Sequence, residues 1–114
     1  MATSPAGTVT FLFTDIEGST SLWERHSGAM QKALIRHNEV IKFTVDSRGG
    51  YVFKMVGDAC CVAFSEAPKA LEAVLLAQRA FFAEPWDRRC KVRVRMAPHT
   101  GEVVERGGDY FGPR

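Results

Sequence analysis

The sequence predicts an α+β domain in which two helices cover one face of an antiparallel sheet. Three observations carry this. Short β-branched and aromatic runs recur along the chain, at Val9–Phe13, Tyr51–Val56 and Ala59–Phe64. Two long stretches with apolar residues at helical spacing separate them. Finally, Gly57-Asp58 falls between two of the strands, the spacing of a two-residue hairpin.

Taken in order, Val9–Phe13 is the first strand and stops at Thr14-Asp15. Gly18-Ser19-Thr20 then reads as a helix start, with Ser/Thr capping and Glu24 further on. The long helix runs from about Ala29 to Ser47, its inner face set by Ala33, Leu34, Val40, Ile41 and Val45, and Arg48-Gly49-Gly50 stops it. The hairpin strands follow. Ala67–Phe82 is the second long helix, with Pro68 in the first turn, where its missing N–H costs nothing. After a loop over Glu84–Arg89, Lys91–Ala97 alternates basic and apolar, so Val92, Val94 and Met96 should face inward. Pro98, which removes a ladder donor, should bend or shorten that strand. A further strand or hairpin covers Thr100–Val104, and Gly107-Gly108-Asp109 opens a last turn. The order β-α-β-β-α-β, with a hairpin arm, is the ferredoxin-like pattern. The 114 residues suit one domain, 1–114.

Composition narrows the class. Hydrophobic residues make up 46% and charged residues 25%, as in an ordinary globular domain, and the net charge of +2 is too small to argue for nucleic acid. Arg88, Arg89, Lys91, Arg93 and Arg95 read as a turn followed by the solvent face of a strand. Met1–Thr8 has neither the basic nor the apolar region of a signal peptide, and no stretch reaches the ~18 apolar residues of a membrane span. Cys60, Cys61 and Cys90 are odd in number and lack disulfide-framework spacing. Cys60 and Cys61, being adjacent, should point to opposite faces of their strand, which makes them packing residues in a reducing cytoplasm.

In this topology the first strand lies beside the hairpin, so Asp15 at its end and Asp58 at the hairpin tip converge. Two hard carboxylates there suit Mg²⁺ or Mn²⁺, and the ions would in turn take phosphate oxygens. The helix start at Gly18-Ser19-Thr20 adds free backbone N–H groups that favour an anion beside them.

Four segments carry a family resemblance. Phe11-Leu12-Phe13-Thr14-Asp15-Ile16-Glu17-Gly18-Ser19-Thr20 resembles the opening motif of class III adenylate and guanylate cyclase catalytic domains. Phe53-Lys54-Met55-Val56-Gly57-Asp58-Ala59 resembles the second motif. His99-Thr100-Gly101-Glu102 and Gly108-Asp109-Tyr110-Phe111-Gly112-Pro113 resemble the third region, in the form seen in actinobacterial cyclase-like proteins. They occur in the family's order along nearly the whole chain.

The resemblance implies an adenylate cyclase, a phosphorus-oxygen lyase that makes cyclic AMP and pyrophosphate from ATP with two Mg²⁺ or Mn²⁺ ions. It implies that Asp15 and Asp58 are the catalytic metal-binding aspartates, with the Ile16 carbonyl as a further metal ligand, and that Gly18, Ser19 and Thr20 hold the phosphates. Lys54 and Asp109 are then the base-recognising pair. A lysine only donates and a carboxylate only accepts, which matches adenine N1 and N6. It also implies a head-to-tail homodimer with the site at its interface, in a cytoplasmic signalling protein. His99 reads as a structural residue at a strand bend. The family's chain continues past the position of Arg114 with a transition-state asparagine and arginine, so residues 1–114 are expected to be a C-terminally truncated portion with little turnover of its own. Two other functions compete. One is a non-catalytic nucleotide-binding or dimerisation module, a degenerate cyclase domain. The other is a ferredoxin-like nucleic-acid binder stacking bases on Phe53 and Phe64, which Asp15 and Asp58 disfavour by repelling a phosphate backbone.

Overall fold

A computed structural model describes the backbone of residues 5–106 and 109–111 and the side chains of residues 5–103. The elements are β1 (Gly7–Ile16), α1 (Ser19–Arg25), α2 (Ser27–Ser47), β2 (Tyr51–Val56), β3 (Ala59–Phe64), α3 (Ala67–Ala83), β4 (Val94–Arg106) and β5 (Asp109–Phe111). The strand order is β2-β3-β1-β4-β5, every neighbouring pair antiparallel. The first four strands give the ferredoxin-like arrangement expected from the element order. β5 adds only a short arm, pairing with Val104–Arg106 of β4.

Alternation along β1 sorts its side chains between the two faces. Leu12 and Ile16 join Met30, Val40, Ile41 and Val45 of α2, Phe81 of α3, and Val62 and Phe64 of β3 in one buried core. Each large apolar side chain buried there contributes about 1.5–3 kcal/mol. Ala70, Ala73 and Ala77 are the small residues on the buried stripe of α3, and let that helix approach closely. Gln78 Nε2 donates to the Val94 carbonyl at 2.9 Å and ties α3 to β4. Among the described residues the opposite face carries no helix. Val9, Phe11 and Ala63 form a smaller cluster there with Phe53 and Val103, and the Phe11 and Phe53 rings meet edge to face at 5.7 Å.

Several expectations hold as stated. Val92 and Val94 are buried and Met96 packs against the same core. Cys60 is fully buried under the helices, whereas the neighbouring Cys61 is only half-buried. Burial pushes the Cys60 thiol up to about 11, so it is protonated at neutral pH. Phe64 is wholly buried, which removes it as a base-stacking platform.

Three local expectations are corrected. The helical region after β1 is two helices, because His26 leaves helical geometry at φ −141°, ψ 55°. No side chain caps α1; its N-cap is Gly18 in the left-handed conformation at φ 66°. β4 starts at Val94 instead of Lys91 and runs unbroken through Pro98, which sits opposite Leu12. β5 begins to pair with β4 only at Val104. Among the described residues no strand therefore pairs with the second edge of β4 at Pro98, and an edge is where a missing N–H is tolerated.

Candidate active site

β1 delivers Asp15 and Ile16 to the end of the sheet. The ladder continues one residue further, where Glu17 N–H donates to the Arg93 carbonyl at 2.8 Å. On the other side of β1, the β2–β3 turn folds back through Gly57, whose φ of 59° suits a residue without a Cβ. This brings Asp58 against the end of β1, where Asp58 Oδ2 accepts the Ile16 N–H at 2.6 Å. Asp58 is therefore held against the strand one residue from Asp15, although 42 residues separate Ile16 from Asp58.

Asp15 lies on the helix-free face, directly opposite Arg95 of β4. The guanidinium grips it with two parallel bonds, Nε to Oδ1 at 2.8 Å and Nη2 to Oδ2 at 2.9 Å. The pair is partly open to solvent. The Asp15 contact holds the Arg95 pKa above its usual value, with smaller contributions from Glu17 and Asp58. Arg95 was expected to be a solvated strand residue. Its role depends on the β1–β4 register, which no local pattern in the sequence specifies.

Lys54 reaches the same face by an irregularity. The β2–β3 register shifts between Val52 and Lys54, so Phe53 is an extra, bulged residue. Regular alternation would send Phe53 and Lys54 to opposite faces. The bulge instead places Lys54 opposite Cys61, which is opposite Phe13 on β1. Lys54 thus stands in the row next to Asp15, since Phe13 and Asp15 are two apart on one strand. A groove of about 380 Å³ lined by Phe13, Asp15, Cys61, Arg95 and Ala97 runs beside them.

Gly18, Ser19 and Thr20 begin α1 just beyond Asp15. The N–H groups of a first helical turn have no partner within the helix, so they can donate outward. Asp109 opens β5 opposite Arg106, but its side chain lies outside the described residues, as do Gly107, Gly108 and Gly112–Arg114. His99 is exposed on β4 opposite Phe11, within a continuous strand and not at a bend.

The donor chemistry fits a hard divalent cation. Among the described residues no group of three or more His, Cys, Asp or Glu side chains is arranged to enclose a metal. Two carboxylates and a backbone carbonyl are what a Mg²⁺-type site uses when water and phosphate oxygens supply the remaining ligands. Asp15, Asp58 and the Ile16 carbonyl would hold it. Among the described residues no helix is long and apolar enough to cross a membrane.

Known proteins resemble this chain in sequence and in fold. The family model for the adenylate and guanylate cyclase catalytic domain matches residues 1–107. An adenylate cyclase of Schizosaccharomyces pombe is 39% identical over 106 residues, covering 90% of this chain and 6% of that protein. An adenylate cyclase of Mycosarcoma maydis is 34% identical over 134 aligned positions, covering 96% of this chain and 5% of its own. Among solved structures, an adenylate cyclase of Trypanosoma brucei described in its monomeric state superposes with a TM-score of 0.84 at 25% identity, over 95% of this chain and 65% of that one. An adenylate/guanylate cyclase/hydrolase of Silicibacter pomeroyi gives 0.79 at 27% identity, over 93% and 63%. The chain thus spans a small part of the fungal proteins and just under two thirds of the solved domains. With the motifs, the sheet order and these matches in agreement, the chain belongs to the family of adenylate and guanylate cyclase catalytic domains.

Proposed function

We propose that this domain serves the conversion of ATP to cyclic AMP and pyrophosphate. The observation that supports the reading is the Ile16–Asp58 hydrogen bond, which sets Asp58 at the end of β1 one residue from Asp15. In the reaction the ribose 3′-oxygen bonds to the α-phosphorus, the 3′-hydroxyl proton departs, and the bond from the α-phosphorus to the pyrophosphate oxygen breaks. Two Mg²⁺ or Mn²⁺ ions, when bound, would activate the nucleophile and neutralise the triphosphate. The chain's own residues hold and orient. Asp15, Asp58 and the Ile16 carbonyl fix the cations, the amides of Gly18, Ser19 and Thr20 face the phosphates, and Lys54 with Asp109 selects adenine. The helix-free sheet face, where Phe13 is exposed and Phe53 half-buried, supports a second copy packing there, with Lys54 and Asp109 serving the partner's nucleotide.

The test is cyclic AMP production from ATP and Mn²⁺ by the full-length polypeptide that carries this segment. Asp58→Ala should abolish it, by at least about 10²-fold, the scale for losing one preorganised electrostatic group. Undiminished production would remove Asp58 from the site.

A further inference from the structure

We propose that His37 is a proton-operated latch on the loop between α3 and β4, and through that loop on the end of β1. With the ring neutral the latch holds, and with the ring protonated it lets go. Only the consequence for cation binding rests on the function proposed above.

The basis is a series of three rings. His37 on α2 is fully buried and stacks on Phe81 of α3, with ring centres 5.5 Å apart. Phe81 stacks in turn on Trp86 of the loop at 6.3 Å, and Trp86 Nε1 donates to the Phe81 carbonyl at 2.9 Å. The loop leads into β4, where the Arg93 carbonyl accepts the Glu17 N–H at 2.8 Å. That bond extends the ladder just past Asp15 and Ile16. The series suits a neutral imidazole. Nδ1 has Asn38 Oδ1, whereas Nε2 is buried with no partner among the described residues. A second ring proton there is a buried donor without an acceptor, which is relieved when the seam between α2 and α3 opens to water. The charged groups nearby supply no acceptor. Arg36, beside His37 on α2, and Glu84, just after α3, bind each other at 2.8 Å. Asp58 of the β2–β3 turn acts only from a distance, and no other charge among the described residues acts on the ring. Burial, the largest influence, holds its pKa below the ordinary value. The open seam therefore takes the proton more readily, and opening is favoured as pH falls below about 6.5, the ordinary imidazole value.

The experiment is amide hydrogen exchange on the full-length polypeptide at pH 7.5 and pH 5.5, corrected for intrinsic exchange rates. It is run beside His37→Phe, which keeps a ring in the stack but cannot titrate. Circular dichroism confirms that each protein is folded at both pH values. In wild type, protection of the Trp86–Arg93 amides and of Glu17 should fall several-fold, and at most about tenfold, at one pH unit below the ordinary imidazole value. Amides of β3 should change less, and His37→Phe should show no such fall. If His37→Phe does not fold, His37→Gln, equally unable to titrate, takes its place. An equal fall in wild type and variant, or none in wild type, would overturn the latch. Mn²⁺ with a non-hydrolysable ATP analogue should also bind more weakly at pH 5.5, by a larger factor in wild type than in the variant. Failure of Mn²⁺ to bind at either pH would overturn the cation site alone, and the exchange result would still decide the latch.

Discussion

Ile16 and Asp58 are joined by a 2.6 Å bond from the Ile16 backbone N–H to Asp58 Oδ2, so one carboxylate both latches the β2–β3 turn to β1 and completes the candidate cation site. These two tasks can be separated. Asp58→Asn keeps an oxygen that accepts the N–H but loses the charge. It should retain stability to within about 1 kcal/mol, the scale of one hydrogen bond, while Mn²⁺ binding with an ATP analogue falls at least tenfold. Asp58→Ala removes both, leaves a partly buried N–H unpaired and should lose about 1–3 kcal/mol as well. Urea unfolding and Mn²⁺ titration of the two variants would show whether latch and ligand are distinct.

Base selection tests the pairing of Lys54 with Asp109. Lys54→Glu combined with Asp109→Cys reverses the hydrogen-bond polarity offered to the base. Each mispaired buried polar group costs about 1–3 kcal/mol, so the ATP-to-GTP preference of the full-length polypeptide should fall by one to two orders of magnitude. Competition between the two nucleotides in a cyclase assay measures this. An unaltered preference for ATP would take both residues out of base recognition.

His37 sets a pH dependence. It is fully buried in α2, stacks on Phe81 of α3 at 5.5 Å, and its Nδ1 meets Asn38 Oδ1 at 2.9 Å. Nε2 is buried with no partner among the described residues. Burial lowers its pKa, outweighing the Asn38 hydrogen bond and the more distant Asp58 charge, which act the other way. The unfolded chain therefore takes up this proton more readily than the folded one. The resulting loss of stability begins as pH falls through the unfolded value of about 6.5 and continues down to the lowered folded value, at up to about 1.4 kcal/mol per pH unit. His37→Leu should flatten the fall in melting temperature between pH 7.5 and pH 5. An equal fall in both proteins would assign it to other groups.

Among the described glycines, Gly50 sits closest against the core. A Cβ there would lie 2.7 Å from the Phe64 ring and 2.7 Å from Val45 Cγ1, both on buried side chains. Gly50→Ala should therefore destabilise by about 1–3 kcal/mol, as overpacking does. Gly28→Ala meets nothing within 4 Å and serves as the control in the same denaturant titration.

Much of this was legible in the sequence because it is local. The hairpin strands Tyr51–Val56 and Ala59–Phe64 appear with the bounds that their composition and the Gly57-Asp58 turn imply. The approach of Asp58 to the end of β1 followed from topology, since an antiparallel neighbour must bring its turn there. The Arg95–Asp15 pair did not follow, because it depends on the β1–β4 register, and Arg93 and Arg95 look alike within an alternating strand. The break at His26 has no proline or glycine at the break itself, and nothing in the structure explains it. Pro98 misled for a physical reason. It argues against a paired strand only where both edges are occupied, and edge occupancy is a tertiary property.

The bulge in β2 has a consequence for chain length. Every pairing of β2 with β3 would survive excision of Phe53: Val52 would still face Val62, and Lys54 would still face Cys61, now by plain alternation. The hairpin loop would remain Gly57-Asp58. Phe53 is thus surplus to the ladder, and what it adds is the ring set edge-on to Phe11. A single-codon deletion at this one position should therefore leave Lys54 and Asp58 where they stand and remove only an aromatic contact. A deletion at Met55 would instead be taken up at the bulge, leaving Val56 opposite Ala59 and the turn in place but putting Phe53 opposite Cys61 and Lys54 opposite Cys60, on the other face of the sheet.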